Sequence, residues 1–75
     1  MKQSKPKQLK AFGQAVRVNR LQLGMSQEDL AHACSLDRTY IGSVERGERN
    51  ISLANIIRLA KALDITPAAL LEGIE

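Results

Sequence analysis

Between Arg38 and Ser43 the chain sets a guanidinium and two hydroxyls, those of Thr39 and Ser43, around a single tyrosine, Tyr40. A guanidinium donates two parallel hydrogen bonds in a fixed fork, which fits neighbouring acceptors such as O6 and N7 of guanine. A threonine offers a methyl group to thymine or a hydroxyl to a base or phosphate. That chemistry is recognition. Catalysis has no comparable inventory: there is no nucleophile with a convincing base, no phosphate loop and no carboxylate pair in a cleft. His32 lacks His, Cys or carboxylate partners at metal spacing, so neither a metal site nor a cofactor is expected. Cys34, the single cysteine, cannot close an intramolecular disulfide and sits in an apolar helical context where free cysteine packs as a small hydrophobe, which points to a reducing cytoplasm.

The elements that must position these groups are set by composition and periodicity. Seventy-five residues suffice for one thin core. With 44% hydrophobic residues and only Phe12 and Tyr40 as aromatics, that core is aliphatic and suits packed helices. The net charge of +3 leans towards a polyanionic partner. Lys2, Lys5, Lys7 and Lys10 crowd the start beside Pro6, so residues 1–8 are expected to form a flexible basic tail, either solubilising or clasping phosphate, ahead of a domain over residues 9–75. No apolar run approaches a membrane span, and no secretory signal follows the lysines.

Residues 8–23 carry Leu9, Phe12, Val16 and Leu23 at helical spacing, and Gly24 can end that helix with positive φ. Ser26 and Asp29 form a capping-box pattern for a second helix whose inner stripe is Leu30, Ala31 and Cys34. Asp37 offers the next N-cap after only Ser35 and Leu36. A third helix runs from Arg38 to about Arg46, buries Ile41 and Val44, and stops at Gly47. Ser52 caps a fourth, whose Leu53, Ile56, Ile57, Leu59, Ala60 and Leu63 span a wider apolar face than one core stripe needs. Thr66 and Pro67 open a short fifth helix with Leu70 and Leu71. The expected fold is all-α, a compact five-helix bundle. Its second and third helices, with their very short turn and a polar outward N-terminal face on the third, form the arrangement that enters a major groove.

Gln27-Glu28-Asp29-Leu30-Ala31, Leu36-Asp37-Arg38-Thr39-Tyr40-Ile41, Val44-Glu45-Arg46-Gly47 and Ala60-Lys61-Ala62-Leu63 together resemble the lambdoid-repressor-like (XRE-type) helix-turn-helix family over about residues 9–71. Leu36 to Ile41 with Arg46-Gly47-Glu48-Arg49-Asn50 looks most like the controller proteins of restriction-modification systems. In the turn, the family usually has a left-handed glycine where this chain has Ser35. Keeping that geometry costs about 1 kcal/mol.

The resemblance implies base-reading roles for Arg38, Thr39 and Ser43 on the outer face of the third helix, with Tyr40 flanking. It implies that Gln27 contacts the DNA backbone and braces the recognition helix. Arg17, Ser26, Arg46, Arg49 and Asn50 are phosphate-contact candidates at helix ends or loops flanking the same surface. Arg20 falls in the apolar stripe of the first helix, where a lone charge is costly, and the family pairs it with Glu45 as a structural ion pair.

The function expected is a sequence-specific, double-stranded DNA-binding transcriptional regulator, a dimeric controller of a restriction-modification-type operon on a pseudo-palindromic operator. The alternative is an antitoxin- or coactivator-like interaction module on the same fold. Against it, the Arg38, Thr39, Ser43 face is polar and led by a cation. Ile51, Leu53, Ile57, Leu71 and Ile74 are candidate homodimer contacts, and Glu28 with Asp29 is a candidate acidic patch for RNA polymerase.

Overall fold

The computed structural model describes residues 6–75, so Lys2 and Lys5 of the basic segment lie outside the described residues. Five helices follow in order: α1 (Lys7–Gln22), α2 (Gln27–Cys34), α3 (Arg38–Glu45), α4 (Leu53–Ala62) and α5 (Pro67–Leu71). Helix α1 begins at Lys7, directly after Pro6, so Lys7 and Gln8, the last two residues of the expected tail, lie in its first turn.

The core is aliphatic. Phe12 and Val16 from α1, Leu30, Ala31 and Cys34 from α2, and Ile41 and Val44 from α3 meet Leu59, Ala60, Leu63 and Leu70 from the C-terminal part. Helix α3 packs on both α1 and α2, α2 also packs on α4, and α5 bridges α1 and α4. Leu23, expected in the α1 stripe, is instead exposed at the helix end, together with Val18 and Leu21. Ile51 and Ile74, candidate homodimer contacts, lie half-buried against the core. No helix is long and apolar enough to cross a membrane among the described residues.

Local chemistry accounts for where the helices begin. The Ser26 hydroxyl accepts from the Asp29 amide at 2.9 Å while the Asp29 carboxylate accepts from the Ser26 amide at 2.9 Å, a complete capping box. The Ser26 backbone amide, and after it the Ser26 hydroxyl, hold the Asp29 carboxyl below its usual range. Its folded-state value is therefore depressed, so the box is in force at neutral pH and is lost as pH falls below the ordinary carboxylate range. Ser52 and Thr66 cap α4 and α5 in the same way, with Pro67 in the first turn of α5.

Four of the five helices end alike. In each, a residue with left-handed backbone sends its amide to the carbonyl three residues back, and the next amide reaches the carbonyl five back. This is the Schellman closure. Gly24 and Gly47 fill that position with φ of 69° and 75°, as glycine favours. Ser35 and Asp64 fill it with φ of 59° each, where a β-carbon is disfavoured by roughly 1–2 kcal/mol. The turn before α3 thus keeps the left-handed conformation although it lacks glycine. Asp37 holds the N-cap position of α3, but its side chain makes no capping hydrogen bond.

Helix α1 crosses the C-terminal end of α3 at Gly13, which is buried; a β-carbon there would run into the carbonyl oxygen of Val44 and sit 2.7 Å from that of Glu45. Replacing a mid-helix glycine by alanine ordinarily gains about 1 kcal/mol. Here Gly13→Ala is expected to lose about 1–3 kcal/mol net, because backbone must move to admit the methyl group. A thermal melt should fall by about 4 °C or more. A melting temperature at or above that of the unchanged protein would show that α1 and α3 do not approach this closely.

Candidate nucleic-acid interface

The site is built on α3, held from behind and presented forwards. Its inner face, Ile41 and Val44, is fully buried. Its orientation about that apolar axis is fixed by a polar node. Arg20, 6% exposed, donates from Nε to Glu45 Oε2 at 2.6 Å, from Nη2 to Glu45 Oε1 at 3.0 Å and from Nη1 to the Met25 carbonyl at 2.9 Å. The Gln27 amide donates to the same Glu45 Oε1 at 3.0 Å. The structure thus brings together Arg20, Glu45 and Gln27, tying α1, the turn after it and the start of α2 to the end of α3. The Glu45 hydrogen bonds and charge raise the already high pKa of Arg20 against the opposing effect of burial, so the cation is firmly held.

On the outward side, Arg38 and Thr39 are exposed at the first turn of α3. Gly42 follows beneath the side chains of Arg46 and Gln27: a β-carbon on it would meet Arg46 Nη1 at 3.2 Å and Gln27 Oε1 at 3.6 Å. Glycine at this position therefore lets two flanking polar side chains converge over the middle of the helix. Arg46 also pairs with Glu48 at 3.2 Å, both partners being largely exposed.

Ser43 departs from expectation. It is 6% exposed, not open on the outer face. Its hydroxyl donates to the Tyr40 carbonyl at 2.8 Å and accepts from Arg49 Nε at 3.0 Å. The Arg49 guanidinium also lies over the Tyr40 ring, 5.2 Å from its centroid. Tyr40 is half-buried, and its hydroxyl accepts from the Asn55 side-chain amide at 3.2 Å. Neither Asn55 nor Gly42 announces such a role in sequence: one reads as an ordinary polar residue early in α4, the other as a helix-weakening glycine.

Arg17, Ser26 and Asn50 are exposed. The Ser26 oxygen accepts the capping bond, which leaves its hydroxyl proton able to donate outwards. Leu53, Ile57 and Leu71 are exposed apolar residues at 69%, 38% and 39%. His32 is exposed, and among the described residues no group of three or more His, Cys, Asp or Glu side chains could hold a metal ion. Burial pushes the Cys34 thiol up, which keeps it protonated and unreactive.

The sequence profile of the helix-turn-helix family matches residues 16–70. The chain is 55% identical over 62 residues to control protein C.BamHI of Bacillus amyloliquefaciens, covering 81% of this chain and 76% of that one. In three dimensions it is similar to the restriction-modification controller protein C.AhdI of Aeromonas hydrophila, with a TM-score of 0.81 at 56% identity over 83% of this chain and 94% of that one. It also superposes on the controller C.Esp1396I, solved as a tetramer in complex with its natural 35 base-pair operator. There the TM-score is 0.83 at 33% identity, covering 92% of this chain and 91% of that one.

Removing either Arg20 or Glu45 alone leaves the other as an uncompensated buried charge. Arg20→Ala and Glu45→Ala are each expected to cost on the order of 3–5 kcal/mol. Thermal melts of the two variants check this, and wild-type stability in both would remove the node from the account of the fold.

Proposed function

Because the chain belongs to the restriction-modification controller branch of the helix-turn-helix family, we propose that it binds a pseudo-palindromic double-stranded operator as a homodimer and regulates transcription of a restriction-modification operon. The observation that carries this reading is the exposed pair Arg38 and Thr39 at the N-terminal turn of a helix whose back is locked into the core. That turn of a recognition helix is the part that reaches base edges. Arg38 donates its fork to guanine, and Thr39 offers its methyl or hydroxyl to the neighbouring step. Tyr40 flanks them.

Around this reading edge, Gln27, Ser26, Arg17, Arg46, Arg49 and Asn50 are assigned to the phosphates, which fix register without carrying sequence information. Gln27 has a double task, since its side chain also braces Glu45. The polar, cation-led face argues against a protein-interaction module, which would present apolar groups there. Glu28 is exposed and open to RNA polymerase, whereas the Asp29 carboxylate is taken up by the capping box. The site of action is the cytoplasm, and no catalytic step is assigned.

Dimerisation is assigned to α4 and α5, through Leu53, Ile57 and Leu71, with Ile51 and Ile74 at the margin because the core already claims half of each. One short helix reads only a few base pairs. A two-fold pair sets two recognition helices about 34 Å apart, one turn of B-DNA. Support comes from the C.Esp1396I complex, in which four subunits share one operator.

Selection of bound sequences from random duplex DNA tests the reading, with a symmetric motif as the expected result. Arg38→Ala should weaken operator binding by about 1–3 kcal/mol and relax one base position per half-site; equal losses on operator and random DNA would refute base reading there. For the dimer, Ile57→Glu should shift sedimentation at micromolar concentration to monomer and lower operator affinity. If both stay unchanged, the assigned interface is wrong.

A further inference from the structure

Resting on that reading of the surface as a DNA reader, we infer that Glu48 sets specificity by repulsion. Its carboxylate, fixed on Arg46 beside the recognition helix, turns away phosphates that fall there in wrong registers and so restrains binding to DNA other than the operator.

Residues 38–52 carry only two acids. Glu45 is spent inside the domain on Arg20. Glu48 is exposed, in a loop whose neighbouring groups, Arg46, Arg49 and Asn50, are assigned to phosphates. Its backbone is pinned, since the Gly47 amide donates to the Val44 carbonyl at 3.0 Å and the Glu48 amide to the Ser43 carbonyl at 2.9 Å. Gly47 is itself buried against α1, so closely that a β-carbon would lie 2.9 Å from Lys10 Cα. The side chain is held as well: Oε1 lies 3.2 Å from Arg46 Nε, and the same guanidinium stands over Gly42. A negative charge is thereby fixed in an otherwise cationic loop, at the C-terminal end of the helix that reads.

Fold stability does not account for it. Both partners are largely exposed, and a pair of that kind shifts a folding equilibrium by only about 1.5- to 5-fold. Its consequence falls on the partner. A carboxylate on a surface that meets a polyphosphate lowers affinity wherever a phosphate comes within about one screening length, near 10 Å at moderate salt. On the operator, base contacts fix the register and the phosphates fall on the cations. On other sequences nothing fixes it, so the domain slides and hops along the backbone through positions that bring phosphates against Glu48. Like charges set together in those positions lower the affinity of the wrong complexes and leave the right one alone. Specificity is a ratio of affinities, and weakening the competing term raises it. The Arg46 pair serves the same end: it keeps the carboxylate from swinging away into solvent, and it moderates a cation that would otherwise hold any phosphate equally well.

The test is affinity of the full chain, of Glu48→Gln and of Glu48→Lys for the operator selected from random duplex DNA and for random duplex itself, over a salt series. Glu48→Gln should bind random duplex about 3- to 10-fold more tightly at low salt and leave operator affinity nearly unchanged, so that the operator-to-random ratio falls by the same factor. Glu48→Lys should go further in the same direction. The gain on random duplex should fade as salt rises, because the repulsion it removes is screened. Selection with Glu48→Gln should recover the same motif with weaker enrichment, and both variants should keep the wild-type melt, since residue 48 is exposed. Loss of operator affinity with no gain on random duplex overturns the proposal and makes Glu48 a positioning residue for Arg46. An altered motif overturns it in favour of base reading by the carboxylate, and equal gains on both DNAs, or none on either, overturn it outright. An unchanged chain that selects no motif overturns the DNA-reading function instead.

Discussion

A guanidinium in an aliphatic core of this size has to be answered completely or the domain does not form. Arg20 is answered by both oxygens of Glu45 and by the Met25 carbonyl, and Glu45 is shared with Gln27. Among the described residues no buried side-chain nitrogen or oxygen is left without a partner. An ion pair of this kind is not a large source of stability compared with the hydrocarbon that might replace it. What it supplies is direction. Leu30, Ile41, Val44 and Leu59 attract one another in any orientation that excludes water, so an aliphatic core alone would tolerate small rotations and slides of α3. A bidentate fork does not, and its requirement propagates to every segment that meets it: α1 through Arg20, the following turn through Met25, α2 through Gln27 and α3 through Glu45.

Gly13 imposes the complementary constraint, from sterics. Its missing β-carbon lets α1 reach the backbone at the end of α3, within one residue of Glu45. Node and crossing together fix both the angle and the depth of the recognition helix. The repeated Schellman closures then turn the chain sharply between elements, so that the eight-residue helices α2 and α3, too short to persist alone, are closed at their C-terminal ends by hydrogen bonds rather than fraying.

The helices, their caps and the core were legible because each rests on local rules. Ser26 with Asp29, Ser52, Thr66 with Pro67, and the three-and-four spacing of Phe12, Val16, Leu30, Cys34, Ile41 and Val44 each carry a signal within one or two turns. What was not legible depends on residues distant in sequence. Leu23 satisfies the helical period of α1 but falls at its C-cap, one residue past the last helical turn, and is exposed there. Ser43 stands at an outward position by helical geometry, yet Arg49, six residues on, folds back and buries it. Asp64 ends α4 in a left-handed conformation that its identity does not advertise, and Gly13 and Gly42 matter for atoms that only the packed structure brings near them. Lys7 reads as tail by its charge, yet the helix continues through it from Pro6. Local chemistry writes the elements, and the site emerges where three of them converge.

A recognition helix pinned by a buried fork and by backbone contact at Gly13 has almost no compliance of its own. On the proposed function, any mismatch between its fixed reach and the width or twist of a particular groove falls on the softer partner, and the softer partner is the duplex. The elastic work of bending or narrowing DNA depends on the base steps being deformed, including those no side chain touches. Stiffness inside a domain of 75 residues thereby becomes a sensor of DNA mechanics: the spacer between contacted bases is weighed by how readily it yields.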